Sequence, residues 1–158
     1  MLHRTKYKQS IIMKLFETLL KEKFELLVDE DLSFDDKKIA TTNKFLNFCC
    51  NELGLADKFT CKIVFDRESN GVKTTAYYRD DDKLVVVYGK NRMLGDILRS
   101  IAHELVHQLQ HQEGRIEYPV QDIGGEIEDE ANARAGSLVK TFIKQDEMGK
   151  NLFEGKLT

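Results

Sequence analysis

Met93-Leu94-Gly95-Asp96-Ile97-Leu98-Arg99-Ser100-Ile101-Ala102-His103-Glu104-Leu105-Val106-His107-Gln108-Leu109-Gln110 is the stretch whose pattern organises the chain. Leu94, Ile97, Leu98, Ile101, Leu105 and Leu109 recur at three- and four-residue intervals, so they form one apolar stripe on a helix that Gly114 ends. At about 100° per residue the stripe centres near Ile101 and Leu105. His103 and His107 then project from the opposite side, with Asp96 and Ser100, toward a cleft or water rather than the core.

The spacing His103-Glu104-Leu105-Val106-His107 matters because residues four apart on a helix lie one above the other, and two imidazoles can then reach one zinc ion. With four histidines and fourteen glutamates in the chain, chance would supply this HExxH pattern in on the order of 1% of shuffled sequences. Alone it also suits two solvated histidines on a polar helix face. A catalytic zinc takes three protein ligands and leaves a position for water, so a further His, Asp or Glu is required. His111 continues the ladder, but about 12 Å of axial rise separates it from His103, too far for one ion to bind both. A metzincin would place glycine and a third histidine where this chain has Gln110 and Glu113, which excludes that family.

A later helical pattern over residues 127 to 144 (Ala131, Ala135, Leu138, Val139, Phe142) opens with Glu126-Ile127-Glu128-Asp129-Glu130-Ala131-Asn132. Glu128 shares the inward stripe with Ala131, Ala135 and Val139, whereas Asp129 and Glu130 rotate toward solvent. Glu126 sits about 160° from Glu128 and approaches only if the helix starts later. The alternative role for Glu128 is a carboxylate favoured by the positive helix N-terminus.

Outward from these helices, Ile11, Ile12, Leu15, Phe16, Leu19, Leu20, Phe24 and Leu27 predict a first amphipathic helix over residues 10 to 28. Ser33 with Asp36 resembles a capping box for a second helix that Gly54 stops. Residues 60–65, 73–78 and 84–88 are rich in Val, Ile, Thr and Tyr, with Asn70-Gly71 and Asp80-Asp81-Asp82 as turns; they predict a small antiparallel sheet whose last two strands form a hairpin. The polar residues 146–158 predict a loosely docked tail. The expected fold is α+β and a single domain over 1–158: a helical part at 1–54, a core at 59–144, and the tail.

Composition sets limits on partners. The 158 residues are 41% hydrophobic, enough to close one core. Lys plus Arg number 24 against 27 Asp plus Glu, so no global basic field draws nucleic acid. No apolar stretch is long enough for a membrane span, which predicts a soluble, cytoplasmic protein. Cys49, Cys50 and Cys61 form no even framework and no CxxC pair, which suits buried, reduced thiols.

His103-Glu104-x-x-His107 followed by Glu128-x-x-Ala131-Asn132 resembles the gluzincin pattern, in which a Glu from a later helix completes HExxH. The chain is similar here to the ImmA/IrrE-like metallopeptidases and other minimal zincins, many of them phage-encoded, whose setting would be host cytoplasm or virion. Ile101-Ala102-His103-Glu104-Leu105 after a hairpin also resembles SprT-like domains, although those use a third histidine downstream and this chain has none after His111. The resemblance spans residues 59 to 142. Asn132 stands where many gluzincins carry Asp, and Ala135-Gly136 replace the Phe-Ala of ImmA-type proteins. Resemblance and helical phase together imply a minimal zincin-like metallopeptidase with one Zn2+ per chain on His103, His107 and Glu128, Glu104 as the base, and a protein or peptide substrate. Asn132 is placed to orient a ligand, and Tyr118, Arg134 and Tyr88 are candidate donors to a developing oxyanion. The strand at 84–88 is a candidate free edge for an extended peptide, or else a core strand.

Two other classes compete. One is a non-catalytic structural, virion or assembly protein whose zinc only clamps two helices, against which Glu104 argues because a structural site has no use for a base. The other is a regulatory or nucleic-acid-associated module using Lys140 and Lys144, or Arg4, Lys6 and Lys8, which otherwise read as solvated cations.

Overall fold

In the computed structural model, which describes residues 23–66, 75–116 and 125–153, the first element is not helical. Phe24–Val28 is a strand, β1, and its burial alternates: Phe24, Leu26 and Val28 turn inward while Glu25 and Leu27 face out. This corrects the predicted helix over its last five residues, where apolar residues satisfy a period of two as well as a period near four. Residues 10–22 of that expectation lie outside the described residues.

The chain continues through α1 (Asp36–Leu53), β2 (Phe59–Val64), β3 (Ala76–Arg79), β4 (Leu84–Tyr88), α2 (Leu94–Gln112), α3 (Glu126–Gln145) and α4 (Glu147–Phe153). The four strands form one sheet in the order β1-β2-β4-β3. β1 pairs parallel to β2 with Phe24 opposite Phe59, and β2 parallel to β4 with Thr60 opposite Leu84. Only β3 and β4 are antiparallel, with Ala76 opposite Val87. The architecture is therefore α+β as expected, with the hairpin, but the sheet is mixed rather than antiparallel. α1 supplies the crossover that a parallel β1–β2 pair requires.

The start of α1 also differs from expectation. Asp35, not Ser33, is the cap, its carboxylate accepting from the Lys38 N–H at 2.9 Å. At the other end Gly54 adopts φ 61°, the left-handed conformation that closes a helix, and its N–H bonds the Cys50 carbonyl.

β4 lies between two partners, and Leu84 through Val87 are all buried. It offers no free edge, so of the two readings given for that strand the core strand holds; β1 and β3 are the outer strands of the described sheet. Val85 and Val87 with Cys61 and Ile63 carry the sheet's side of the core, and Ile97, Leu98, Ile101, Leu105, Phe45, Leu46, Ala131 and Ala135 meet them. All three cysteines are free and buried, and burial pushes the Cys50 thiol up to about 11 and Cys61 to about 12, so they act as packed apolar groups.

Residues 147–153 are helical rather than loose. Asp146 organises the junction: its N–H continues α3 by donating to Phe142 O, and its carbonyl accepts from Lys150 N–H. Gly149 is buried against Phe142, close enough that a Cβ there would sit 3.0 Å from the ring. Phe142 packs edge-on against Phe45 at 5.1 Å and beside Phe48 at 5.7 Å, joining α1, α3 and α4. Phe142→Ala should therefore lower unfolding stability by about 3–5 kcal/mol, measurable by urea denaturation; a loss below about 1 kcal/mol would show that the junction collapses around the cavity.

Candidate metal centre

The first two ligand candidates follow from the phase of α2. Its buried stripe runs Ile97, Leu98, Ile101, Ala102, Leu105 and Leu109, which turns His103 and His107 toward α3. Their rings meet edge to face at 4.7 Å, with the two Nε2 atoms 3.1 Å apart. Burial of Ala131, Ala135 and Leu138 fixes α3 in the same way and brings Glu128 to the pair. One carboxylate oxygen lies 2.9 Å from His107 Nε2 and the other 3.2 Å from His103 Nε2. Ligand atoms of His103, His107 and Glu128 all fall within 4.8 Å of one another, an arrangement that could hold a metal ion.

The electrostatics suit such a role. Burial, and then the neighbouring His107, lower the affinity of His103 for a proton, against the opposing pull of Glu128 and of a polar contact from Asn132. The neutral ring so favoured is the form that ligates a metal. Glu104 is 8% exposed, and burial, reinforced by the Glu128 carboxylate, pushes its carboxyl from the ordinary 4.5 to about 8.

These groups line a cleft of about 580 Å³. Thr75 and the first three residues of β3, Ala76 to Tyr78, line it together with Asn132 and Ala135 of α3. Arg92 braces the entrance to α2, donating to Tyr88 O at 2.9 Å, Asp96 O at 3.0 Å and Ser100 Oγ at 2.7 Å. His111 lines the same cleft one turn beyond His107, with Nδ1 3.8 Å from Asp80, whose carboxylate accepts from Tyr78 Oη and Lys83 Nζ.

The candidates named from the sequence separate clearly. His103, Glu104, His107, Glu128 and Asn132 come together on the cleft. Arg134 lies 3.6 Å from Glu130 and is absent from the cleft's described lining, as is Tyr88, whose ring lies 6.5 Å from that of Tyr77. Tyr118 lies outside the described residues. Glu130 is not merely solvated: Arg115 grips its carboxylate with both terminal nitrogens. Glu126 and Asp129 are exposed.

The sequence reading missed Gln110, wholly buried, whose Oε1 lies 2.8 Å from His107 Nδ1. Its position three residues after a motif histidine was the available signal, since that spacing stacks the two side chains on one helix face. Arg92 left no such signal, because the Tyr88 and Asp96 groups it bonds are backbone carbonyls, whose approach no side-chain pattern encodes. Among the described residues, no helix is long and apolar enough to cross a membrane. Comparison of the chain with protein-family models, curated proteins and solved structures finds no significant match in any of the three.

The Glu104 carboxyl has a calculable consequence for the metal-free chain. Its pKa is raised on folding, so between about pH 4.5 and about pH 8 the unfolded chain has released a proton that the folded chain still holds. Stability from this group is thus full at low pH and declines as pH rises through that window. Glu104→Gln should raise the melting temperature of metal-free protein above about pH 8 and leave it unchanged near pH 4. Equal gains at both values would mean that the ionised carboxylate is not what the fold disfavours.

Proposed function

We propose that this chain is a zinc-dependent peptidase that hydrolyses peptide bonds, with His103, His107 and Glu128 holding the metal and Glu104 as general base. The observation that carries it is the convergence of those three ligands on the floor of a cleft that also contains a buried, proton-avid carboxyl. Two imidazoles and one carboxylate are a donor set of catalytic zinc, which keeps a further position open. Ligand atoms around a tetrahedral ion with bonds of about 2.0–2.1 Å stand roughly 3.3 Å apart. The separations of 2.9 to 3.2 Å here are close to that edge.

When bound, zinc supplies a polarised carbonyl and a water of lowered pKa. The chain's own residues do the rest. Glu104 takes the proton of the attacking water and delivers it to the departing amine. Among the described residues β3 pairs with β4 on one side and lines the cleft, so its other edge is a place for an extended peptide to add as a further strand. Asn132 helps orient His103. The likeness of the motif to gluzincins of the ImmA/IrrE and SprT-like kind points to the same chemistry.

Protein purified without added metal should contain close to one zinc per chain, and Glu128→Ala should lose most of it. Glu104→Gln should keep the zinc while cleavage of a peptide library falls by about 10² to 10⁴. A Glu104→Gln protein that cleaves at the parental rate would remove Glu104 from the mechanism. A zinc-loaded parent that cleaves nothing would favour the structural clamp. Because the ligands tie α2 to α3, chelation should lower the melting temperature and speed hydrogen exchange first across residues 125–145; unchanged exchange there would argue against the tie.

A further inference from the structure

We propose that Gln110 is a positioning residue: it fixes which nitrogen of His107 is free for the metal and holds the helix that brings the third ligand. The inference rests on the zinc reading above for its consequence but on hydrogen bonding for its argument.

Gln110 sits three residues after His107 on α2 and is 0% exposed, so both ends of its amide must find partners inside the protein. One end lies 3.0 Å from the Ile127 carbonyl and 3.4 Å from a carboxylate oxygen of Glu130. Both of those groups only accept, so this end is the NH2. The opposite orientation would face an amide oxygen to two other oxygens in a buried place, which the cost of unmatched acceptors excludes. Oε1 is therefore the atom 2.8 Å from His107 Nδ1. An amide oxygen cannot donate, so Nδ1 must carry the hydrogen. His107 is thereby held as the tautomer whose Nε2 has a lone pair, and Nε2 is the atom that faces Glu128 at 2.9 Å and His103 at 3.1 Å.

The other half of the amide acts on α3. Ile127 immediately precedes Glu128, so one buried side chain orients the second ligand and grips the backbone beside the third. Glu130, held by Arg115, extends the line, giving a polar chain from Arg115 through Glu130 and Gln110 to His107. No shorter residue reaches both helices: Asn lacks a methylene. Met fills the space with no hydrogen bond at either end. Glu retains an acceptor for His107 but has no hydrogen for Ile127.

The full chain tests this with Gln110→Met and Gln110→Glu. Zinc affinity is read by competition with a chromophoric chelator, and the His107 ring proton by long-range 1H–15N correlation spectra of the metal-free protein above about pH 8, where a free imidazole is neutral. Gln110→Met should weaken zinc about 10- to 100-fold and lose the exclusive Nδ1–H form, whereas Gln110→Glu should keep that form with a smaller loss of affinity. A role in packing alone would move the melting temperature of both variants while leaving tautomer and affinity as in the parent, and that result would overturn the proposal. If Gln110→Met does not fold, Glu130→Ala takes its place: it should weaken zinc several-fold with His107 still carrying its proton on Nδ1, and parental affinity would count against the polar chain. A parent that binds no zinc refutes the zinc reading instead. The ring proton of His107 in that metal-free parent, read above about pH 8 where a free imidazole is neutral, then decides for Gln110 if it sits on Nδ1 and against it if on Nε2.

Discussion

Two helix faces on α2 have to be right at once. One carries Ile97, Leu98, Ile101 and Leu105 into the centre of the core; the other holds His103 and His107 one turn apart toward α3. Because both faces belong to one rigid helix, burying the first sets the direction of the second. A rotation that improved the ligand geometry at the expense of the stripe would expose apolar area at about 25 cal/mol per Å². The core thus acts as the mount of the histidine pair, and the sheet beneath it, through Val85 and Val87, is what that mount rests on.

α3 is bound by a second constraint. Leu138 and Phe142 anchor its later turns, but near the histidines its buried residues are small, Ala131 and Ala135, which permit a close approach of α3 to the rest of the core and contribute less area than Leu or Ile would. Polar groups supplement them: Gln110 on the Ile127 carbonyl, Arg115 on Glu130, and Glu128 against both imidazoles. A carboxylate and two imidazole nitrogens turned toward one another in a partly buried place are unfavourable unless protons or a cation lie among them. The same groups that help join the two helices therefore also make the place between them receptive to positive charge.

Glu104 and Glu128 illustrate how environment divides the work of two carboxyls. Glu104 is buried beside the group of His103, His107 and Glu128, and low solvation with a neighbouring negative charge makes it hold its proton. Glu128 reaches the histidines directly. A residue one step along the helix from His103 cannot join the histidines on their face, because about 100° of rotation separates them, and this is why the pattern turns the two imidazoles, and not the carboxyl between them, toward Glu128.

The amino-acid sequence by itself determined the elements whose signal is local. The stripe from Leu94 to Leu109 dictated α2, the run Leu84 to Tyr88 dictated a strand, and the helical phase of Ala131 and Ala135 singled out Glu128 among four acids. Only the tertiary structure decided what depends on partners far along the chain. Phe-Glu-Leu-Leu-Val at 24–28 satisfies helix and strand periods alike, and pairing with Phe59–Val64 resolved it as β1. That β4 is central and β3 outermost among the described strands on its side is likewise a matter of pairing, which no period within a strand encodes. Asp35 rather than Ser33 caps α1 because the turn before it sets which side chain meets the first free N–H groups. Gln110 reads in the sequence as one more polar residue near the end of a helix; it becomes a buried bridge only when α3 arrives to supply Ile127 and Glu130, since a hydrogen bond between two helices exists only once both are in place.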